Sequence, residues 1–169
     1  MKSLIKFTTI RIIVFTCLFI VATTLPSFGQ YANSPEILKP ILPKAYGLAE
    51  FEEISEKYAP DYQHLLDVCN GDIDVAFSKW LKMLSDMEAE GQKNGFNLGG
   101  VKMWMQVYFD KDGSIDNIGF FLKPNSKNID QAELSVFLEK FARQYKFPID
   151  AASKFSHYTA VSFPVFAGN

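Results

Sequence analysis

The sequence is poor in the side chains that carry covalent and metal chemistry. It has two cysteines and two histidines. Cys17 lies in an N-terminal apolar run, while His64, Cys69 and His157 fall further along the chain. Cys69 is the one thiol outside that run, so no intramolecular disulfide is expected once the run is removed. Two histidines in separate stretches, with no carboxylate at ligand spacing, give no zinc motif. No metal and no cofactor is therefore expected. A glycine-rich phosphate loop, a nucleophile elbow and a His-Glu metalloprotease helix are missing as well. No catalytic residue is assigned. An enzyme would need a site that motifs do not reveal, such as His64, His157 and acidic residues converging in a cleft. Cys69, in "HLLDVC", reads as a small buried hydrophobe rather than a nucleophile.

A long apolar run is missing too. The run from Ile12 to Ala22 falls short of the roughly 20 residues that span a bilayer. Lys2, Lys6 and Arg11 precede it without an acidic residue, and Pro26, Ser27 and Gly29 follow it. That is the pattern of a signal peptide over residues 1–29, cleaved after Gly29; a retained anchor is the other reading. The mature chain is then exported, to the periplasm of a Gram-negative bacterium first and the extracellular space second, with no stable membrane insertion. Seventeen basic residues less the three of the leader leave fourteen against nineteen acids, a net charge of −5. Nucleic acid and anionic lipid demand clustered Lys and Arg, so neither is expected as a partner.

Residues 30–47 carry Pro35, Pro40 and Pro43 and read as an extended arm. Leu48, Phe51, Ile54 and Tyr58 then recur at helical spacing up to Pro60. A short second helical stretch holds Tyr62, Leu65, Leu66 and Cys69, closed by Asn70-Gly71. A third starts at Asp72 or Asp74, with Ile73, Phe77, Trp80, Leu81, Leu84 and Met87 as its apolar stripe. Past Gly99-Gly100 the period changes to two. Val101, Met103, Met105, Val107 and Phe109 alternate with Lys102, Trp104, Gln106 and Tyr108, and "IDNIGFFL" continues as a second strand. Asn128 and Gln131 have capping-box spacing, with Asp130 suited to a helix start. Leu134, Phe137, Leu138, Phe141 and Tyr145 form the next helical stripe, which Pro148 ends. "HYTAVSFPVF" alternates again, and Pro164 assigns it to a sheet edge.

Between the first two strands lies "DKDGS", which resembles both a calcium loop and a hairpin turn. With Gly113 as the sixth residue of an EF-hand loop, the first position is Tyr108 and the twelfth Gly119, so the first carboxylate and the bidentate glutamate are both missing. The flanks are strands, not helices. A hairpin is expected. "EFEEISEK" is likewise the solvated face of a helix rather than a carboxylate pair for hydrolysis.

The fold class expected is α+β: N-terminal helices followed by a ββαβ unit with a three-stranded antiparallel sheet. After the leader and the arm, residues 48–169 form one domain, helical over 48–98. Aromatic residues make up 15% of the chain, and Trp104, Tyr108 and Phe166 need not all be core. Either the helices cover their face of the sheet or it forms an exposed groove.

In order and spacing, "VYFDKDGSIDNI", "IDQAELSVFLEKF", "KFPIDA" and "VSFPVF" resemble the C-terminal domain of TonB-type proteins over residues 99–166. The resemblance implies a three-stranded sheet with its last strand at the edge and one helix across the back. It also implies capture of a short segment of an outer-membrane receptor by strand addition. The long Pro-rich spacer and membrane helix of an energy transducer do not match, so what carries over is the fold. Mapped onto this chain, the binding edge is the backbone of Tyr158, Thr159, Ala160, Val161, Ser162 and Phe163. The function expected is a non-catalytic interaction module for an outer-membrane or periplasmic protein. The alternative is a small-ligand or lipid carrier with an aromatic-lined cavity between helices and sheet. Mass spectrometry of the exported protein should find Gln30 at its N-terminus; retention of the first 29 residues would identify an anchor instead.

Overall fold

The computed structural model describes residues 42–165. The leader, most of the arm and Phe166 lie outside the described residues. The elements are β1 (Ala45–Gly47), α1 (Leu48–Tyr58), a 3-10 turn (Ala59–Asp61), β2 (Gln63–His64), α2 (Leu65–Val68), α3 (Ile73–Lys93), β3 (Lys102–Phe109), β4 (Ile115–Leu122), α4 (Gln131–Gln144) and β5 (Phe155–Ser162). This is an α+β fold. The sheet corrects the expectation of three antiparallel strands. Among the described residues it has five strands in the order β1-β4-β3-β5-β2 and is mixed. The long strands β4, β3 and β5 pair antiparallel, and each outer flank is closed by a very short parallel strand.

The alternation along β3 works as its sequence suggests. Met103, Met105, Val107 and Phe109 are fully withdrawn from solvent, because one face of the sheet meets α3 and α4. Trp80, Met83 and Met87 of α3, and Leu134, Leu138 and Phe141 of α4, belong to the same buried cluster. Each large side chain so buried contributes about 1.5–3 kcal/mol. Both helices start on an aspartate. Asp72 Oδ1 accepts from the N–H groups of Asp74 and Val75 at 3.0 Å. Asp130 Oδ1 does the same for Ala132 and Glu133. Asp130, not Asn128, is therefore the cap of α4, since its charged oxygen sits directly at the positive helix end.

The region between Pro60 and Asn70 is not one helical stretch. Tyr62 is extended, and its phenol donates to Asp116 Oδ2 at 2.9 Å. Lys154 donates to the same carboxylate at 2.8 Å and pairs with Asp110 at 3.4 Å. Burial first, and the Asp116 carboxylate second, push the Tyr62 phenol pKa up. This cluster anchors the chain at the hairpin end of β5, where the Gln63 N–H donates to Lys154 O at 3.0 Å and β2 forms. A two-residue strand made by such long-range bonds has no periodicity of its own.

"DKDGS" is a hairpin. The Asp110 N–H donates to Ser114 O and the Gly113 N–H to Asp110 O, at 2.8 and 2.9 Å. The carboxylates are engaged within the turn. Asp112 accepts from the Ser114 hydroxyl and N–H and faces Lys146 at 3.3 Å. The Ser114 bonds, with Lys146 after them, hold its pKa down to about 2. Among the described residues no group of three or more His, Cys, Asp or Glu is placed to hold a metal ion. Gly113 has φ +84°, and a Cβ there would lie 2.2 Å from Phe147 O. Gly113→Ala should therefore cost more than about 2 kcal/mol in chemical denaturation. Gly71→Ala, at φ +78° with open space around it, should cost about half as much. Equal costs would mean that the backbone contact at Gly113 is not restrictive.

Candidate functional site: the open edge of β5

The hydrogen-bond parity of β5 is set at its end. The Phe163 N–H donates to Val101 O, and Phe163 O accepts from the Gly100 N–H, both at 2.9 Å. In an antiparallel ladder the direction of these groups alternates. Val161, Thr159 and His157, paired with Met103, Met105 and Val107, therefore point their backbone N–H and C=O towards β3. Tyr158, Ala160 and Ser162 point theirs away from it. β2 reaches only as far as Phe155 and Ser156. Among the described residues no strand pairs with the outward groups of Tyr158, Ala160 and Ser162.

This edge is one wall of a groove of about 870 Å³. The other wall is α3. The helix follows β5 in the same direction: the Trp80 ring meets His157 edge-on with centroids 4.5 Å apart, and Glu88 Oε2 accepts from the Val165 N–H at 2.9 Å. Its buried side chains are Ala76, Trp80, Met83, Leu84 and Met87, a stripe shifted from the one expected. Ile73 and Phe77, counted with the core in the sequence, are 69% and 60% exposed and line the groove with Leu81. Leu66 of α2 is exposed beside them. The helix thus presents apolar side chains past the last strand, where one further strand would be covered. The sequence shows these residues as apolar, but nothing in their spacing marks them as outside the core.

The groove also brings His64 and His157 together, from elements that the sequence keeps apart, with Asp67 beside them. Burial first, and the neighbouring His64 second, push the His157 pKa down. Among the described residues no hydrogen bond joins either histidine to a hydroxyl or carboxylate. Burial pushes the Cys69 thiol up, which lowers its thiolate fraction. The arrangement offers backbone bonding and apolar contact.

Of the six residues expected to form a binding edge, Tyr158, Ala160 and Ser162 direct their backbone outward. Thr159 and Val161 are turned inward, and Phe163 is buried with its N–H and C=O held by Val101 and Gly100. β5 is not the outermost strand along its whole length, because β2 covers its first two residues.

The aromatic face is the opposite side of the sheet. Trp104 and Tyr158 stack there with centroids 5.5 Å apart, and Lys123 Nζ lies 4.5 Å over the indole. Both rings are partly exposed. Tyr108 is buried, with Tyr62 edge-on at 4.8 Å. A second groove, of about 560 Å³, separates Trp104, Phe121 and Tyr158 from Leu48 and Glu52 of α1. Of the helices expected to cover this face, α1 is the one beside it, whereas α3 packs on the other.

Comparison with protein-family models, curated proteins and solved structures gives no match for this chain.

Since the folded-state pKa of His157 lies below its ordinary 6.5, the unfolded chain takes up the proton more readily. The stability contributed by neutral His157 is complete above about pH 6.5 and is lost as the pH falls through the folded value. The denaturation midpoint should fall between about pH 7.5 and about pH 5. His157→Phe should flatten this slope, and an unchanged slope in the variant would assign it to other groups.

Proposed function

We propose that this chain is an exported, non-catalytic interaction module that captures an extended segment of a partner protein by strand addition at β5. The observation that carries the reading is the row of outward N–H and C=O groups on Tyr158, Ala160 and Ser162 beside an apolar helix wall that reaches past the sheet. An unpaired edge is a template for another strand, and backbone bonds provide affinity while side-chain pockets select the segment. The resemblance of residues 99–166 to the C-terminal domain of TonB-type proteins, together with the leader, favours an outer-membrane or periplasmic protein as partner. The carrier alternative has less support. The layer between α3, α4 and the sheet is filled by Trp80, Met83, Met87, Leu138 and Phe141, and Trp104 and Tyr158 stand on the other face.

Ala160→Pro tests the reading. It removes an N–H that points outward and leaves the ladder to β3 intact, which is where proline is tolerated in a sheet. The exported wild-type protein should capture a membrane protein from detergent-solubilised envelope. The variant, with an unchanged circular dichroism spectrum and melting midpoint, should retain at least about tenfold less of it. Equal capture by both would remove β5 from the function.

A further inference from the structure

The groove restricts what the captured segment can be made of, an inference that rests on the reading above. Its length is bounded at both ends. β2 occupies the edge at Phe155 and Ser156, and at Phe163 the backbone bonds inward to Val101 and Gly100. The free stretch, centred on Tyr158, Ala160 and Ser162, faces about five or six residues of an added strand. Side chains on such a strand point alternately to the two faces of the sheet. Those on the α3 side meet Ile73, Phe77 and Leu81, all apolar, and those on the other side run past Tyr158 into water.

Charge narrows the choice further. The imidazoles of His64 and His157 and the carboxylate of Asp67 line the groove at its β2 and α2 end, and among the described residues no Lys or Arg lines it. A carboxylate on the segment would meet Asp67 without a cation to pair it, whereas a Lys or Arg there would find the carboxylate. We propose that the segment is about six residues long, neutral or basic, with aliphatic side chains at alternate positions.

The test uses blocked peptides titrated into the isotopically labelled exported protein, followed by amide NMR. Ac-Lys-Thr-Val-Thr-Val-Ser-NH2, whose Lys shares the face of the two Val side chains, should shift the amide signals of Tyr158, Ala160 and Ser162. It should bind at least about threefold more tightly than the peptide with Glu in place of Lys. A version with both Thr residues replaced by Pro should shift none of them. Equal or tighter binding of the Glu peptide would overturn the charge argument. If no alternating peptide binds while the wild type still captures its envelope partner in an Ala160→Pro-sensitive way, the composition proposed here is wrong and strand addition stands. If sedimentation shows a concentration-dependent dimer with the same amides shifted, the occupant is a second copy of this chain, and the proposal fails. Absence of peptide binding together with insensitivity to Ala160→Pro would sink the functional reading itself.

Discussion

Met103, Met105, Val107 and Phe109 on β3 must be hidden from water on one face, and that requirement organises the fold. β3 is the strand flanked on both sides by eight-residue partners, so the apolar stripe continues onto Ile118 and Phe120 of β4 and onto Val161 of β5. Two helices are needed to cover an area of this width, and α3 lies on the β5 side, with Trp80 against His157. The sheet tapers there to the two residues of β2. The 21-residue helix does not. Its Ile73 and Phe77 therefore stay exposed along the groove, and the groove follows from this mismatch.

The two margins of the sheet are treated differently. On the β4 side, β1 pairs from Ala45 to Gly47, and the Asn117 side chain donates to the carbonyls of Leu42 and Pro43 just before it. That margin is paired and tied down. On the β5 side, β2 stops after two residues, held in place by the Tyr62–Asp116–Lys154 cluster. Natural sheets usually blunt an open edge with lysine, proline or an inward charge. From Tyr158 to Ser162 this edge carries none of these, and Pro164 comes only after the free stretch. An uncharged, unblunted edge beside apolar side chains would be a liability if nothing were meant to bind it, and this physical tension is what favours a binding function.

Much of the fold was legible because it is local. The Asp-Gly hairpin, the period-two runs of β3 and β4 and the aspartate start of α3 each depend on a few neighbouring residues, and each stands where the sequence put it. What escaped depends on distant partners. β1 and β2 are three- and two-residue parallel strands made by bonds to β4 and β5, so no window of sequence contains their signal. Ile73 and Phe77 fit an apolar stripe, yet the stripe that is buried runs through Ala76, Met83 and Met87. A helix with apolar residues on adjacent stripes does not state which one faces the core. The convergence of His64 with His157 and the burial of Tyr108 by Tyr62 are tertiary in the same way. The edge itself was half legible. Alternation and Pro164 located the strand, but which of its residues turn their backbone outward is decided by the Phe163–Val101 bond at its end.

Residue-resolved amide hydrogen exchange on the isolated protein tests the central claim most directly, because it reads the direction of each N–H along β5. The account predicts an alternating pattern: slow exchange at Thr159 and Val161, whose N–H groups lie in the ladder to β3, and fast exchange at Tyr158, Ala160 and Ser162. Uniformly slow exchange from Tyr158 to Ser162 would contradict it, since the edge would then already be paired.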